Sequence, residues 1–162
     1  MSGKGTPATK AVAAIAHTIH EYQHDRSASS FGAEAAQALG VDAARVHKTL
    51  VAAIERIGRA ELVVAVVAVD AQLDLKALAA AVGAKKAEMA RPADAERTTG
   101  YVVGGISPLG QRKRLATVID ANAQQHRTIF VSAGRRGLEI ELAPADLAEL
   151  TGATFAAIAT RP

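Results

Sequence analysis

The 162-residue sequence contains no cysteine. That excludes a disulfide framework, a thiolate zinc site and a cysteine nucleophile, and it suits a reducing compartment. Tryptophan is also absent, and the aromatics together make only 3% of the chain. With 49% hydrophobic residues and so few rings, Ala and Val must fill the core. A chain of this length can bury a full core as one domain. Long apolar runs are missing too: the longest, residues 62–69, falls far short of the roughly 20 residues of a membrane helix. The first five residues, Met1-Ser2-Gly3-Lys4-Gly5, lack the apolar segment of a secretion signal. A cytoplasmic protein with no membrane partner is expected. Neither charge sign dominates: 19 Lys and Arg stand against 16 Asp and Glu, a net +3 that pulls only mildly toward polyanions.

What the sequence does have is a glycine-rich loop beside a basic run, Thr99-Gly100-Tyr101-Val102-Val103-Gly104-Gly105-Ile106-Ser107-Pro108-Leu109-Gly110-Gln111-Arg112-Lys113-Arg114. Tyr101 to Val103 read as a strand-like trio that enters the loop. Gly104 and Gly105 permit left-handed backbone or close approach of a ligand to bare amides. Successive amides in such a loop can cradle an oxyanion. Arg112, Lys113 and Arg114 add fixed positive charge. A turn followed by a solvated basic corner satisfies the same residues. A nucleotide-binding Walker loop is excluded, because Gln111 and Arg112 stand where that loop needs Lys and Ser or Thr.

Along the chain, residues 1–6 read as a flexible tail and 7–160 as one domain. Val12, Ile15, Ala16 and Ile19 recur at helical spacing, so the pattern predicts a helix over 7–19. Next, His20-Glu21-Tyr22-Gln23-His24 matches His-Glu-x-x-His, the two-histidine zinc motif of a helix. Its longer form needs a glycine and a third histidine where Ser27 and Ser30 stand. Residues 25–30 read as loop, and on a strand Glu21 would face away from both histidines. No metal site is expected. Residues 31–39 form a helix with Gly40 at its end, and Asp42 caps one more turn. Residues 61–69 suit a strand buried on both faces. Helices follow at 75–82, from Pro92, and at 145–150. Further strands fall at 115–119, 128–132 and 138–142, 133–137 forms a hairpin turn, and 155–159 closes the chain. His47 and His126 read as surface residues.

The strand over 45–55 carries a conflict. Val46, Leu50, Ala52 and Ile54 alternate onto one face, and Lys48 lies on that face too. An ammonium there either snorkels to solvent or opens into a pocket. In a pocket it would polarise a carbonyl or hold an anion.

These features in order resemble the YbaK/EbsC family. Its members are bacterial deacylases of mischarged Cys-tRNA(Pro), related to the editing insertion domain of bacterial prolyl-tRNA synthetases. The likeness is carried by Tyr22-Gln23-His24-Asp25, Phe31-Gly32-Ala33-Glu34, Val46-His47-Lys48-Thr49-Leu50, Gln72-Leu73-Asp74, Gly83-Ala84-Lys85-Lys86, residues 99–110, Ile119-Asp120 and Gly134-Arg135-Arg136-Gly137-Leu138. The form Gly-Gly-Ile-Ser-Pro-Leu-Gly is similar to the cysteine-specific branch. The resemblance implies a single α/β domain with a mixed, mostly antiparallel, barrel-like sheet flanked by short helices. It implies an ester hydrolase in which the substrate's own thiol assists cleavage and no cofactor is needed. It implies Lys48, Gly104 and Gly105 as the catalytic set. Tyr22, Phe31, Thr49, Ile106, Ser107, Pro108 and Ser132 would line the substrate pocket. Arg112, Lys113, Arg114, Arg135 and Arg136 would meet tRNA phosphates. Aminoacylated tRNA(Pro) and prolyl-tRNA synthetase are the implied partners, with a monomer or a homodimer left open. The alternatives are an Ala-tRNA(Pro) deacylase of the same family and a non-catalytic tRNA- or synthetase-binding module.

Overall fold

The structure, a computed structural model, describes residues 5–23 and 31–161, with Phe31 and Gly32 described in backbone only. Thr6 starts helix α1, Pro7–Ala11: its side chain accepts from the Thr9 N–H, and Thr9 returns the bond to the Thr6 backbone. The Thr6 hydroxyl also donates to the Ala133 carbonyl at 2.6 Å. The helix expected over 7–19 therefore stops early, and Ile19 lies in strand β1, Thr18–Glu21. Val12, Ile15 and Ile19 still pack on one core cluster, so their spacing reports a shared destination. β-branched Thr18 and Ile19 suit an extended chain, and cross-strand pairing of Ile19 with Ile140 holds them there.

Helix α2, Phe31–Leu39, ends at Gly40, whose φ is +67°. Asp42 then caps a single turn at Ala43–Arg45. The long strands β2, His47–Arg56, and β3, Arg59–Ala68, form one antiparallel hairpin. Its two turn residues, Ile57 and Gly58, have φ of +53° and +72°, the geometry that matches strand twist. Strand β4, Gln72–Leu73, leads to helix α3, Leu75–Ala81, capped by Asp74. Strand β5, Ala87–Met89, pairs antiparallel with β2. Helix α4, Pro92–Thr99, closes on Gly100 in left-handed geometry. That reversal keeps Tyr101 to Val103 out of any strand, against the trio expected there.

Strand β6, Ala116–Asp120, runs parallel to β3. Strands β7, Ile129–Ser132, and β8, Leu138–Leu142, form a hairpin with β1 on the far side of β8. After helix α5, Pro144–Thr151, the closing segment splits into two short strands. Strand β9, Thr154–Ala156, joins β6, and strand β10, Ala159–Thr160, joins β4. The Asp120 carboxylate accepts from the Ile158 N–H at 3.1 Å and holds the crossing between them.

The result is a mixed, mostly antiparallel α/β fold, as expected. Its strands form three open sheets rather than one closed barrel, in the orders β5-β2-β3-β6-β9, β1-β8-β7 and β10-β4. One core lies between the two larger sheets and includes Val51, Val64, Val66, Ile119 and Ile140. A second covers the opposite face of β2 and β3 under α3. Burial on both faces explains the unbroken Val/Ala run of β3.

Candidate active site

Strand β2 has an incompletely covered edge. Near its start, Val46 bridges to Phe130 of β7. Further along, the Val51 carbonyl accepts from the Ala90 N–H at 3.0 Å, and β5 takes over from Ala52. Between these points no strand covers the edge among the described residues, and a cavity of about 430 Å³ opens there. Alternate residues of a strand aim their peptide groups at the same edge. Thr49, two before Val51, therefore turns its main chain toward the cavity.

Lys48 and Thr49 both line this space. Lys48 is half-buried, and burial lowers its pKa while the charge of Asp70 opposes the shift. Among the described residues its ammonium has no ion pair or hydrogen bond. The Thr49 hydroxyl oxygen is buried with no hydrogen-bond partner among the described residues. A buried hydroxyl in that state is costly unless something outside the chain completes it. Tyr22 lines the opposite wall, its N–H donating to the Gly137 carbonyl at 2.9 Å. Burial, then the nearby Glu139, pushes its phenol up to about 12, so it stays a neutral donor. Ser132 Oγ donates to the Gly105 carbonyl at 3.2 Å and accepts from the Gly134 N–H at 3.1 Å.

The glycine loop is fastened on both sides. Glu96 of α4 accepts from the Val103 N–H at 2.8 Å, and Tyr101 donates to the Leu109 carbonyl at 2.6 Å. Val103, Gly104 and Ile106 reach the cavity. Gly104 has φ of +95°, and a Cβ there would meet the Arg136 guanidinium at 2.5 Å. Gly105 is packed so that a Cβ would lie 2.8 Å from the Arg135 Cα. Its N–H is committed to the Val102 carbonyl at 2.8 Å, which corrects the expectation that both glycine amides are free for an oxyanion. Ser107 and Pro108 also differ from expectation. Both are buried away from the cavity, because the Ser107 hydroxyl accepts from the Leu109 N–H at 3.2 Å and folds the loop on itself. Pro108 borders a separate small hollow with Gly110 and Arg114.

The five basic residues divide. Arg136 lines the cavity and donates to the Val103 carbonyl at 3.3 Å. Arg135 pairs with Glu21 at 3.8 Å. Arg112, Lys113 and Arg114 are exposed beyond α4, with Arg112 reaching the Arg97 carbonyl at 3.4 Å. The Phe31 side chain lies outside the described residues, as does His24. His20 and Glu21 sit on a strand, and His20 Nε2 pairs with Glu141 at 2.9 Å, so these two residues of the zinc-type motif are not helical. Arg45 joins the same carboxylate at 3.1 Å and stacks over Phe130.

Two residues of the site went unread. Glu139 lines the cavity from β8, is 6% exposed, and burial pushes its carboxyl up to about 8. The signal was an acid alternating with Leu138 and Ile140 in a strand that both neighbours cover. His47 corrects its surface reading: it is 3% exposed, its Nδ1 lies 3.1 Å from the Arg45 carbonyl, and burial lowers it to about 4. The site thus combines one unpaired cation, a neutral imidazole, a neutral-leaning carboxyl and an unpartnered hydroxyl. Such a set suits stabilising charge on a bound carbonyl or phosphate.

Comparison with known proteins supplies the family. The EbsC protein of Enterococcus faecalis, named for Cys-tRNA(Pro)/Cys-tRNA(Cys) deacylation, is 45% identical over 142 residues, covering 87% of this chain and 85% of that protein. The multifunctional Ser/Thr-tRNA deacylase ProXp-y of Escherichia coli is 37% identical over 73 residues, 45% of this chain and 44% of its own length. A crystal structure described as a trans-editing enzyme for prolyl tRNA synthetase superposes with TM-score 0.83 at 23% identity, covering 99% of both chains, and shares the fold. The profile of the aminoacyl-tRNA editing domain matches residues 26–150. The chain belongs to the aminoacyl-tRNA editing domain family.

Proposed function

We propose that the protein is a trans-editing hydrolase that deacylates mischarged Cys-tRNA(Pro). The observation that carries this is Lys48: a half-buried ammonium, free of protein partners among the described residues, in a cavity faced by Thr49 and Gly104. The 45% identity to EbsC supports the cysteinyl ester as substrate.

An aminoacyl ester is already activated, so position and charge stabilisation supply most of the rate. The cavity of about 430 Å³ exceeds a cysteinyl group and admits part of the terminal adenosine as well. Lys48 holds the phosphate or ribose end, or steadies the developing oxyanion. The Gly104 N–H meets the carbonyl oxygen. Tyr22, Thr49, Ile106 and Ser132 shape the small side-chain pocket. Glu139 faces the substrate's ammonium and gives up its proton as it pairs. The cysteine thiol attacks the ester carbonyl: a C–S bond forms, the C–O bond to the ribose breaks, and the ribose oxygen takes the thiol proton. Water then opens the cyclic thioester. No protein nucleophile is required, in keeping with a chain that has no Cys. Arg112, Lys113, Arg114, Arg135 and Arg136 meet tRNA phosphates, and prolyl-tRNA synthetase is the expected partner in the cytoplasm.

Hydrolysis of Cys-tRNA(Pro) beside Ala-tRNA(Pro), by wild type and Lys48→Ala, tests the reading. Loss of the cysteinyl ester alone, reduced at least about 100-fold by the substitution, is expected. Loss of the alanyl ester instead would move the activity to the alanine branch. No loss of either, with tRNA binding retained, would make the protein a binding module.

A further inference from the structure

We propose that a groove on the far side of α4 is a second binding site, taking the phosphodiester backbone of the substrate's RNA. The inference rests on the deacylase reading and extends it from Lys113 and Arg114 to Arg59 and Arg97, which the sequence did not single out. The groove measures about 620 Å³ and is lined by Arg59, Arg97, Lys113 and Arg114 together with Asp94 and Glu61. Four cations against two carboxylates leave the lining at +2, most of the chain's net +3.

Both carboxylates are already engaged. Asp94 accepts from Arg97 at 2.6 Å, and Glu61 accepts from Arg56 through two nitrogens at 3.3 and 2.8 Å. The hydrogen bond from Arg56 holds the Glu61 carboxyl low, and the charges of Arg59 and Lys113 add to it, so these two cations converge on one corner. Arg59, Lys113 and Arg114 are exposed and form no ion pair among the described residues. The segment that carries Lys113 is tied to α4: the Arg112 and Lys113 N–H groups donate to the Thr99 and Thr98 carbonyls at 2.9 and 3.2 Å.

Helix α4 is the shared wall. Pro92 and Ala95 face the active-site cavity, while Asp94, Arg97 and Thr98 face the groove. The separation is one helix diameter, about 10 Å. A strand leaving the cavity crosses that in a few nucleotides at about 3.4 Å each. The chemistry of the lining favours RNA over a protein partner. Among the described residues the exposed large hydrophobics are Ile57, Met89, Val102 and Val103, and none of these lines the groove. A protein interface needs an apolar centre, whereas a nucleic-acid interface is polar and positive.

The test uses Arg59→Glu, Arg97→Glu and the pair combined, in the full-length protein. Hydrolysis is measured on Cys-tRNA(Pro) and on the cysteinyl ester of a CCA trinucleotide, across salt concentrations. The combined variant is expected to lose about tenfold or more in kcat/KM on the tRNA and to flatten its salt slope by about 2. The trinucleotide rate should stay within about twofold, since α4 keeps its cavity face. Equal loss on both substrates, or no loss on either, overturns the groove. A loss that appears only when prolyl-tRNA synthetase is present also overturns it and assigns the surface to protein. Binding of uncharged tRNA(Pro), read by fluorescence anisotropy, separates the two claims. If wild type cleaves no ester, the deacylase reading fails. The groove then stands or falls on whether the variant weakens that binding.

Discussion

At the scale of single residues, Thr49 shows how a site can oppose stability. Its buried hydroxyl has no partner among the described residues, and its side chain borders the cavity. Replacing an unsatisfied buried hydroxyl by a methyl of the same shape removes a desolvation cost. Thr49→Val should therefore raise stability by about 1 kcal/mol while lowering kcat/KM for the cysteinyl ester severalfold. Urea unfolding beside the deacylation assay checks this, and a variant both less stable and fully active would sink it. The neighbouring Lys48 was legible in the sequence because strand alternation placed an ammonium among Val46, Leu50 and Ala52. Glu139 was not. Alternation tells which residues share a face, but not that Tyr22 and the cavity stand opposite that face. Ser107 and Gly105 were misjudged for a related reason. A loop's sequence announces available amides and hydroxyls, yet the loop can consume them internally, as the bonds to Leu109 and Val102 do.

At the scale of elements, the glycine loop works as a spacer between α4 and the β7–β8 hairpin. Gly105 is the closest approach, with the space for a Cβ filled by the Arg135 backbone at 2.8 Å. Backbone cannot swing aside as a side chain can. Gly105→Ala should cost about 1–3 kcal/mol through the shift it forces, and it should lower activity by moving Ser132 and Arg136 away from Lys48. Gly83→Ala is the control: nothing lies within 4 Å of its Cβ, although its φ of +73° carries the usual left-handed strain. If thermal melts show the two variants equally stable and equally active, the loop is not a spacer. Helices with local punctuation were readable to within one residue at each end. Helix α2 runs from Phe31 to Leu39 before Gly40, and α3 begins after its Asp74 cap. Helix α1 was overextended because its apolar spacing continues into β1, and only the distant partner β8 decides where helix gives way to strand.

For the whole molecule, burial of two titratable groups lining the same cavity shapes the pH dependence of stability. His47 sits at about 4 when folded, against an ordinary 6.5. The unfolded chain takes that proton first, so stability falls as pH drops from 6.5 to about 4. Glu139 sits at about 8, against an ordinary 4.5. The folded chain keeps that proton longer, so stability falls as pH rises from 4.5 to about 8. The two slopes oppose each other between 4.5 and 6.5 and give a plateau there. Between 6.5 and 8 only Glu139 acts, and wild type should lose stability steadily. Glu139→Gln keeps the shape without the charge, so it should remove that decline and, with the His47 slope left unopposed, turn the plateau between 4.5 and 6.5 into a rise with pH. His47→Asn should do the reverse. Urea midpoints at pH 4, 5.5 and 8 read both effects. A Glu139→Gln protein that still weakens between pH 6.5 and 8 as wild type does would show that the carboxyl ionises early. In that case Lys48 and Arg136, which line the same cavity, already hold it charged, and the substrate ammonium meets a carboxylate rather than an acid.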